Sequence, residues 1–376
     1  MRIHEDCEPS GNAAENSSAK SIDTTYLKQA LELAQLRRGF CAPNPCVGAV
    51  LVKDEKVIAS GFHSASGTAH AEVNALNKIE ACTAKGATLY VTLQPCCHTT
   101  KKTPPCTQLL IAKKIAKVVY AFRDPNPAVS DHSDQQLQQA GIVCIQQSLP
   151  EIDDFYASYQ FWWKHKQPFV TAKLAISLDG KVAGQHGQRI QLTGEAAQRF
   201  THQQRQRADA ILSTAKTISN DNPLLNVRIN NTTASKPLYI LDSELNTPLS
   251  AHVFNTAKKI TLFHKIDLSS KKLAEYHRDN VQLVAIKTNQ TGLNLDDVLK
   301  HIGQEGRHDL WIEAGGHCFQ SFAQNQLLQR AFLYVAPRWL GQDAQNAFTD
   351  PLVLSKAKLS SPILLGPDSC FIFNWP

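Results

Sequence analysis

No stretch of this sequence is apolar for long enough to cross a bilayer, so a membrane-spanning helix is excluded. The opening segment, MRIHEDCEPSGNAAENSSAKS, lacks the apolar core of a secretory signal. A disordered polar tail over residues 1–22 and a cytoplasmic location are expected. Charge is sparse too. Charged residues make up 19% of the 376, and the formal excess is only +6. Such an excess suits an anionic small molecule as well as a nucleic acid, and without a basic stripe it gives no argument for the latter. With no export signal, the ten cysteines read as reduced thiols and not as a disulfide framework.

What is present fits two or three folded domains with full cores. YLKQALELAQLRR, from Tyr26, has helical spacing, with Leu27, Ala30, Leu31 and Ala34 on one face. Strands are expected at APNPCVGAVLVK, VIASG (57–61), ATLYVTL (87–93), KVVYAF (117–122) and IVCIQ. Helices are expected from about Ala69, from PPCTQLLIAKK and over SDQQLQQAG. Alternation of this kind predicts a sheet covered by helices on both faces.

Within this half, TLQPCCHTTKKTPPC puts three cysteines and a histidine between residues 92 and 106. His70 and Glu72, two apart at a helix start, mean little alone. Joined to cysteines after the next strand, they complete one imidazole and two thiolates, a three-ligand set for zinc that leaves the fourth position to water. Zinc lowers the pKa of that water, and a carboxylate that is not a ligand can then carry protons. H-x-E followed by P-C is a signature of zinc deaminases acting on nucleobases.

The ordered motifs PNPCVGAVLVK, GFH, HAEV, GATLYVTLQPC, TPPC and DPNP resemble those of the bifunctional riboflavin-biosynthesis deaminase–reductases. The resemblance runs over about residues 24–345. It implies that His70, Cys96 and Cys106 bind zinc, that Glu72 shuttles the proton, and that Asn44, His63, His98 and Lys102 face a phosphoribosyl-pyrimidine. The helix start at Cys106 is expected to favour its thiolate. The chain departs from the family's usual TLEPCSHHGRTPPC: Gln94 replaces glutamate, Cys97 replaces serine, and the glycine is missing. Cys97 either competes as a ligand or fills the place of a small loop residue. The second is expected, since neighbouring cysteines rarely reach one tetrahedral metal. DPNPAVSDHSD also lacks the glycine pair usual after that motif.

The aromatic segment EIDDFYASYQFWWKHK reads as a linker helix, because aromatic clusters more often fill a core than stack bases. Beyond it, QPFVTAKLAISLDGKVA is an alternating strand whose S-L-D-G resembles the start of the family's reductase domain. IEAGGHC places two glycines between a strand and a helix, which suits a phosphate. The resemblance implies NADPH on Ala175, Thr217, Asp221, Ser243, Gly315 and Gly316, and substrate on Arg205, Leu225, Arg228 and Glu313. Arg189 and Gln191 stand where the family has serine and tryptophan, and Gly316 and His317 where it has proline and threonine.

Four segments are therefore expected: the tail 1–22, a zinc deaminase domain 23–148, a linker 149–167 and an NADPH-dependent reductase domain 168–376. The implied folds are a cytidine-deaminase-like α/β/α sandwich and a dihydrofolate-reductase-like α/β domain. The implied activity is two steps of riboflavin synthesis. First comes hydrolytic deamination of 2,5-diamino-6-ribosylamino-4(3H)-pyrimidinone 5′-phosphate, then reduction of the ribosyl chain to ribityl. A homo-oligomer with no nucleic-acid or membrane partner is expected. Two readings stay open beside it: a divergent member with only the deaminase active, and a zinc deaminase for another nucleobase.

Overall fold

The structure, a computed structural model, describes residues 12–97, 104–130, 132–290, 292–349 and 356–375, with only the backbone for 12–20. It divides into two compact units, Met1–Trp163 and Lys164–Pro376. Among the described residues no helix is long and apolar enough to cross a membrane.

In the first unit, α1 (Asn12–Gln35) precedes a hairpin of β1 (Gly48–Lys53) and β2 (Lys56–Phe62). Next come α2 (Ala71–Leu76), α3 (Ala81–Ala84), β3 (Thr88–Leu93), α4 (Cys106–Ala112) and β4 (Lys117–Phe122). The unit closes with α5 (Pro127–Ser130), α6 (Ser133–Gln139), β5 (Val143–Gln146) and α7 (Pro150–His165). The strands form one sheet in the order β2-β1-β3-β4-β5. The hairpin is antiparallel and β3, β4 and β5 run parallel.

Period-two alternation sends neighbouring residues to opposite faces. Val50, Val52, Val119 and Ala121 pack with α1 and α7; Ala49, Leu51, Val118 and Tyr120 pack with α2, α4 and α6. Helices cover both faces, as expected. The predicted face of α1 is buried at Leu27, Ala30, Leu31 and Ala34.

The described part of the first helix runs from Asn12, within the segment expected to be a tail. No proline or glycine interrupts residues 12–35, so the helix seeded by the apolar face of its second half can extend backwards. The helix expected from the aromatic segment is α7. Ile152, Phe155, Tyr156 and Tyr159 of α7 sit in the first unit's core, because burying them removes a large apolar area from water.

The second unit is built on a ten-stranded sheet. From one edge its strands are Val281–Ile286, Ile260–Lys265, Leu238–Leu241, Ala210–Thr214, Asp309–Glu313, Phe169–Ser177 and Arg330–Ala336, each parallel to the next. Asp368–Asn374 then pairs antiparallel, with Lys358–Leu359 and Ile363–Leu365 on it. Two apolar clusters fill the faces of the sheet. Parallel strands align their carboxyl ends, where ligands of open α/β sheets bind. Here those ends carry Ser243, Thr214 to Thr217, Gly315 and Ser177.

Candidate active sites

Helix α2 lies close on β2 because residue 61 is glycine: a Cβ there would come within 2.5 Å of the Ala71 carbonyl. His70 is the N-cap of α2 in extended conformation, and Glu72 follows in the first turn. Across from them, β3 delivers Cys96 and the start of α4 delivers Cys106. The Thr107 N–H donates to the Cys96 carbonyl (3.1 Å) and the Cys106 N–H to the Cys96 sulfur (3.4 Å), which closes the loop.

His70 Nδ1 then lies 3.2 Å from Cys106 Sγ and 3.5 Å from Cys96 Sγ. Among the described residues these three form a group whose donor atoms all lie within 4.8 Å of one another. One borderline nitrogen and two soft sulfurs match a zinc donor set with a coordination position left over. Cys97 is outside the group. Its thiol donates to the Ala128 carbonyl at 3.2 Å, as a small loop residue would.

The electrostatics point the same way. Burial pushes the Glu72 carboxyl above its ordinary range, against the pull of His70, so it is biased towards carrying a proton. The two buried thiols share a hydrogen bond that favours one thiolate: it lowers Cys96 and, with burial, raises Cys106. A divalent cation would displace the proton that the pair retains.

Asn44, His63, His70, Glu72 and Cys96 line a cavity of about 480 Å³, counting its open mouth. His63 Nδ1 faces the Ala69 carbonyl (3.0 Å) and its Nε2 faces Asn44 Nδ2 (3.3 Å), an arrangement that suits the Nδ1–H tautomer. His98 and Lys102 lie outside the described residues. The sequence reading missed Gln94, Asp124, Asn126 and Tyr159 as lining residues. DPNP contains two of them, and that was the available signal.

In the second unit, Arg205 meets Glu313. Its Nε donates to Oε1 and its Nη2 to Oε2 (2.8 Å), while Nη1 donates to the Asn226 carbonyl (2.8 Å). Arg228 joins this cluster through Asn226 Oδ1 (2.7 Å). Burial opposes ionisation of Glu313, but the Arg205 charge, its hydrogen bonds and Lys173 hold the carboxyl down at about 2.

Lys173 is a member that the sequence reading missed. It pairs with Glu313 across neighbouring strands, its ammonium is 5.2 Å from the Tyr334 ring centroid, and burial lowers its pKa. Leu225 is buried in an apolar cluster. Ala175 lies on strand Phe169–Ser177. Thr217 and Asp221 belong to helix Ala215–Asp221, and Asp221 pairs with Arg189 at 3.8 Å. Ser243 follows strand Leu238–Leu241.

Gly315 caps helix Gly316–Gln324, and a Cβ on it would meet nothing within 4 Å. A Cβ on Gly316 would come within 1.6 Å of the Ala347 carbonyl. The turn is thus open on one side and closed to any side chain on the other, a shape that fits a nucleotide phosphate.

Residues 20–122 match the family described as "Cytidine and deoxycytidylate deaminase zinc-binding region", and residues 168–371 match "RibD C-terminal domain". With the folds and sites above, this defines a zinc-dependent deaminase joined to an NADPH-dependent reductase in one chain. Riboflavin biosynthesis protein RibD of Aquifex aeolicus is 37% identical over 94% of this chain and 99% of its own; that of Escherichia coli is 32% identical over 93% and 98%.

The structure of Acinetobacter baumannii RibD superposes with TM-score 0.84 at 31% identity, covering 94% of this chain and 99% of the other. A Thermotoga maritima structure called a diaminohydroxyphosphoribosylaminopyrimidine deaminase/5-amino-6-(5-phosphoribosylamino)uracil reductase gives TM-score 0.83 at 28% identity, covering 95% and 100%. The chain belongs to the RibD family, the bifunctional deaminase–reductases of riboflavin biosynthesis.

Proposed function

We propose that His70, Cys96 and Cys106 hold the zinc, and that Glu72 is the proton carrier in hydrolytic deamination of 2,5-diamino-6-ribosylamino-4(3H)-pyrimidinone 5′-phosphate. The observation that carries this is the convergence of one imidazole nitrogen and two thiol sulfurs beside a buried carboxyl. Bound zinc would supply an activated water. Glu72 would carry a proton from water to the departing amine, which leaves as ammonia. Asn44 and His63 orient the pyrimidine in the cavity, and His98 and Lys102 supply charge for the phosphate.

The second unit then reduces the ribosyl carbon. Ala175, Thr217, Asp221, Ser243, Gly315 and Gly316 bind NADPH, which supplies the hydride. Arg205, Leu225, Arg228 and Glu313 receive the substrate. Because Arg205 is already neutralised by Glu313, Arg228 is left as the phosphate partner. Lys173, the cross-strand neighbour of Glu313, is the residue we assign to exchange a proton with the opening sugar.

The Arg189–Asp221 pair favours a second reading in which cofactor access is blocked. Its side chains are 65% and 42% exposed, and such a pair contributes only about 0–1 kcal/mol. A nucleotide can displace it, so the bifunctional reading stands. The protein acts in the cytoplasm as a homo-oligomer, without nucleic acid. Zinc content, ammonia release and NADPH oxidation measured on one preparation test the assignment. Zinc-loaded, folded protein that releases no ammonia from the diaminopyrimidine would contradict it.

A further inference from the structure

Helix α6 touches both arms of the chelating loop. Ser133 Oγ donates to the Pro95 carbonyl (2.6 Å), next to Cys96. Asp134 Oδ1 accepts from Gln94 Nε2 (2.9 Å), on the other side of Pro95. Gln136 Oε1 accepts from Thr107 Oγ1 (3.0 Å), next to Cys106. Ser133, Gln94 and Thr107 are all buried.

Gln94 also reaches the cavity wall, where its Oε1 accepts from the Asp124 N–H (3.3 Å). Asp134 is acceptor-only as a carboxylate, and its second oxygen already accepts from Tyr120 (2.7 Å). The pairing therefore works only if residue 94 presents a donor. Gln94 is one of the places where the deaminase motifs depart from the family pattern, and the fold brings it into contact with Asp134 of α6.

We propose that α6 is a polar brace that sets the separation of Cys96 and Cys106, and that Gln94 is the positioning residue transmitting it to the cavity wall. The proposal rests on the zinc assignment above. Partners of this kind, next to metal ligands, typically hold a factor of about 10–100 in metal affinity. A glutamate at 94 would set one carboxylate oxygen against another at 2.9 Å, with no donor between them.

The test is a cycle of Gln94→Glu, Asp134→Asn and both together, with Ser133→Ala as a milder break. Zinc affinity is read by chelator competition, kcat and KM by ammonia release, and folding by NADPH oxidation in the second unit and by circular dichroism. Gln94→Glu is expected to lose about 10–100-fold in zinc affinity. The added Asp134→Asn restores it, because the new amide donates to the introduced carboxylate. Ser133→Ala gives a smaller loss in the same direction. Unchanged zinc affinity in Gln94→Glu, or no recovery in the folded double variant, overturns the brace while leaving the zinc assignment intact. Wild-type protein that binds no zinc, or a Cys106→Ser variant that binds it as well as wild type, overturns the assignment and the brace with it.

Discussion

Arg205 clasps Glu313 with two near-parallel hydrogen bonds in a setting where the side chains are only 11% and 13% exposed. At that burial each charge depends on the other. Truncation by Arg205→Ala leaves a buried carboxylate unpaired and is expected to destabilise the second unit by about 3–5 kcal/mol.

The pair also has a pH signature. The folded Glu313 carboxyl sits at about 2, below its ordinary 4.5, so its contribution is complete above about 4.5 and is lost as pH falls towards 2. Urea midpoints of wild type and Glu313→Gln should therefore converge across that window. A gap independent of pH would contradict the pairing.

Cys97 and Cys106 should behave oppositely. Serine at 97 can still donate to the Ala128 carbonyl, so Cys97→Ser keeps one zinc per chain. Serine at 106 removes a soft ligand, and the protein should lose its zinc during dialysis. Atomic absorption on the two variants reads this directly. Loss of zinc from Cys97→Ser would place that sulfur on the metal.

Replacing Glu72 separates metal binding from chemistry. Since Glu72 is outside the donor group, Glu72→Gln should hold zinc normally while ammonia release falls about 10²–10⁴-fold. Oxidation of NADPH with the deaminated substrate should be unaffected.

Gly61 controls where α2 rests. Gly61→Ala presses a methyl group into the Ala71 backbone, between His70 and Glu72, and should cost about 1–3 kcal/mol in a thermal melt. Zinc affinity should drop with it, because His70 caps that helix.

Much of this was legible in the residues. Alternation at Val50 and Val52 and the helical face of Leu27, Ala30, Leu31 and Ala34 gave the layers of the first unit. The spacing of His70, Glu72, Cys96 and Cys106 gave its metal chemistry. What stayed hidden depends on contacts distant in sequence. Lys173 looked like one polar position of an alternating strand until the sheet set it opposite Glu313. Arg205 came only from the resemblance, and nothing local reveals that it pairs with a carboxylate 108 residues away. Helix α7 read as a linker because an aromatic segment does not say which core it fills. Gln94 looked like a lost glutamate, and its partner Asp134 became visible only through tertiary contact.

The most direct test of a two-step enzyme follows ammonia release and NADPH oxidation together, starting from the diaminopyrimidine ribosyl phosphate with zinc-loaded protein. Ammonia should appear first and NADPH consumption should follow with a lag. Glu72→Gln should suppress both signals from this substrate, yet oxidise NADPH at the wild-type rate when given the deaminated compound. No NADPH oxidation with the deaminated compound in folded wild-type protein would contradict the account and leave a deaminase alone.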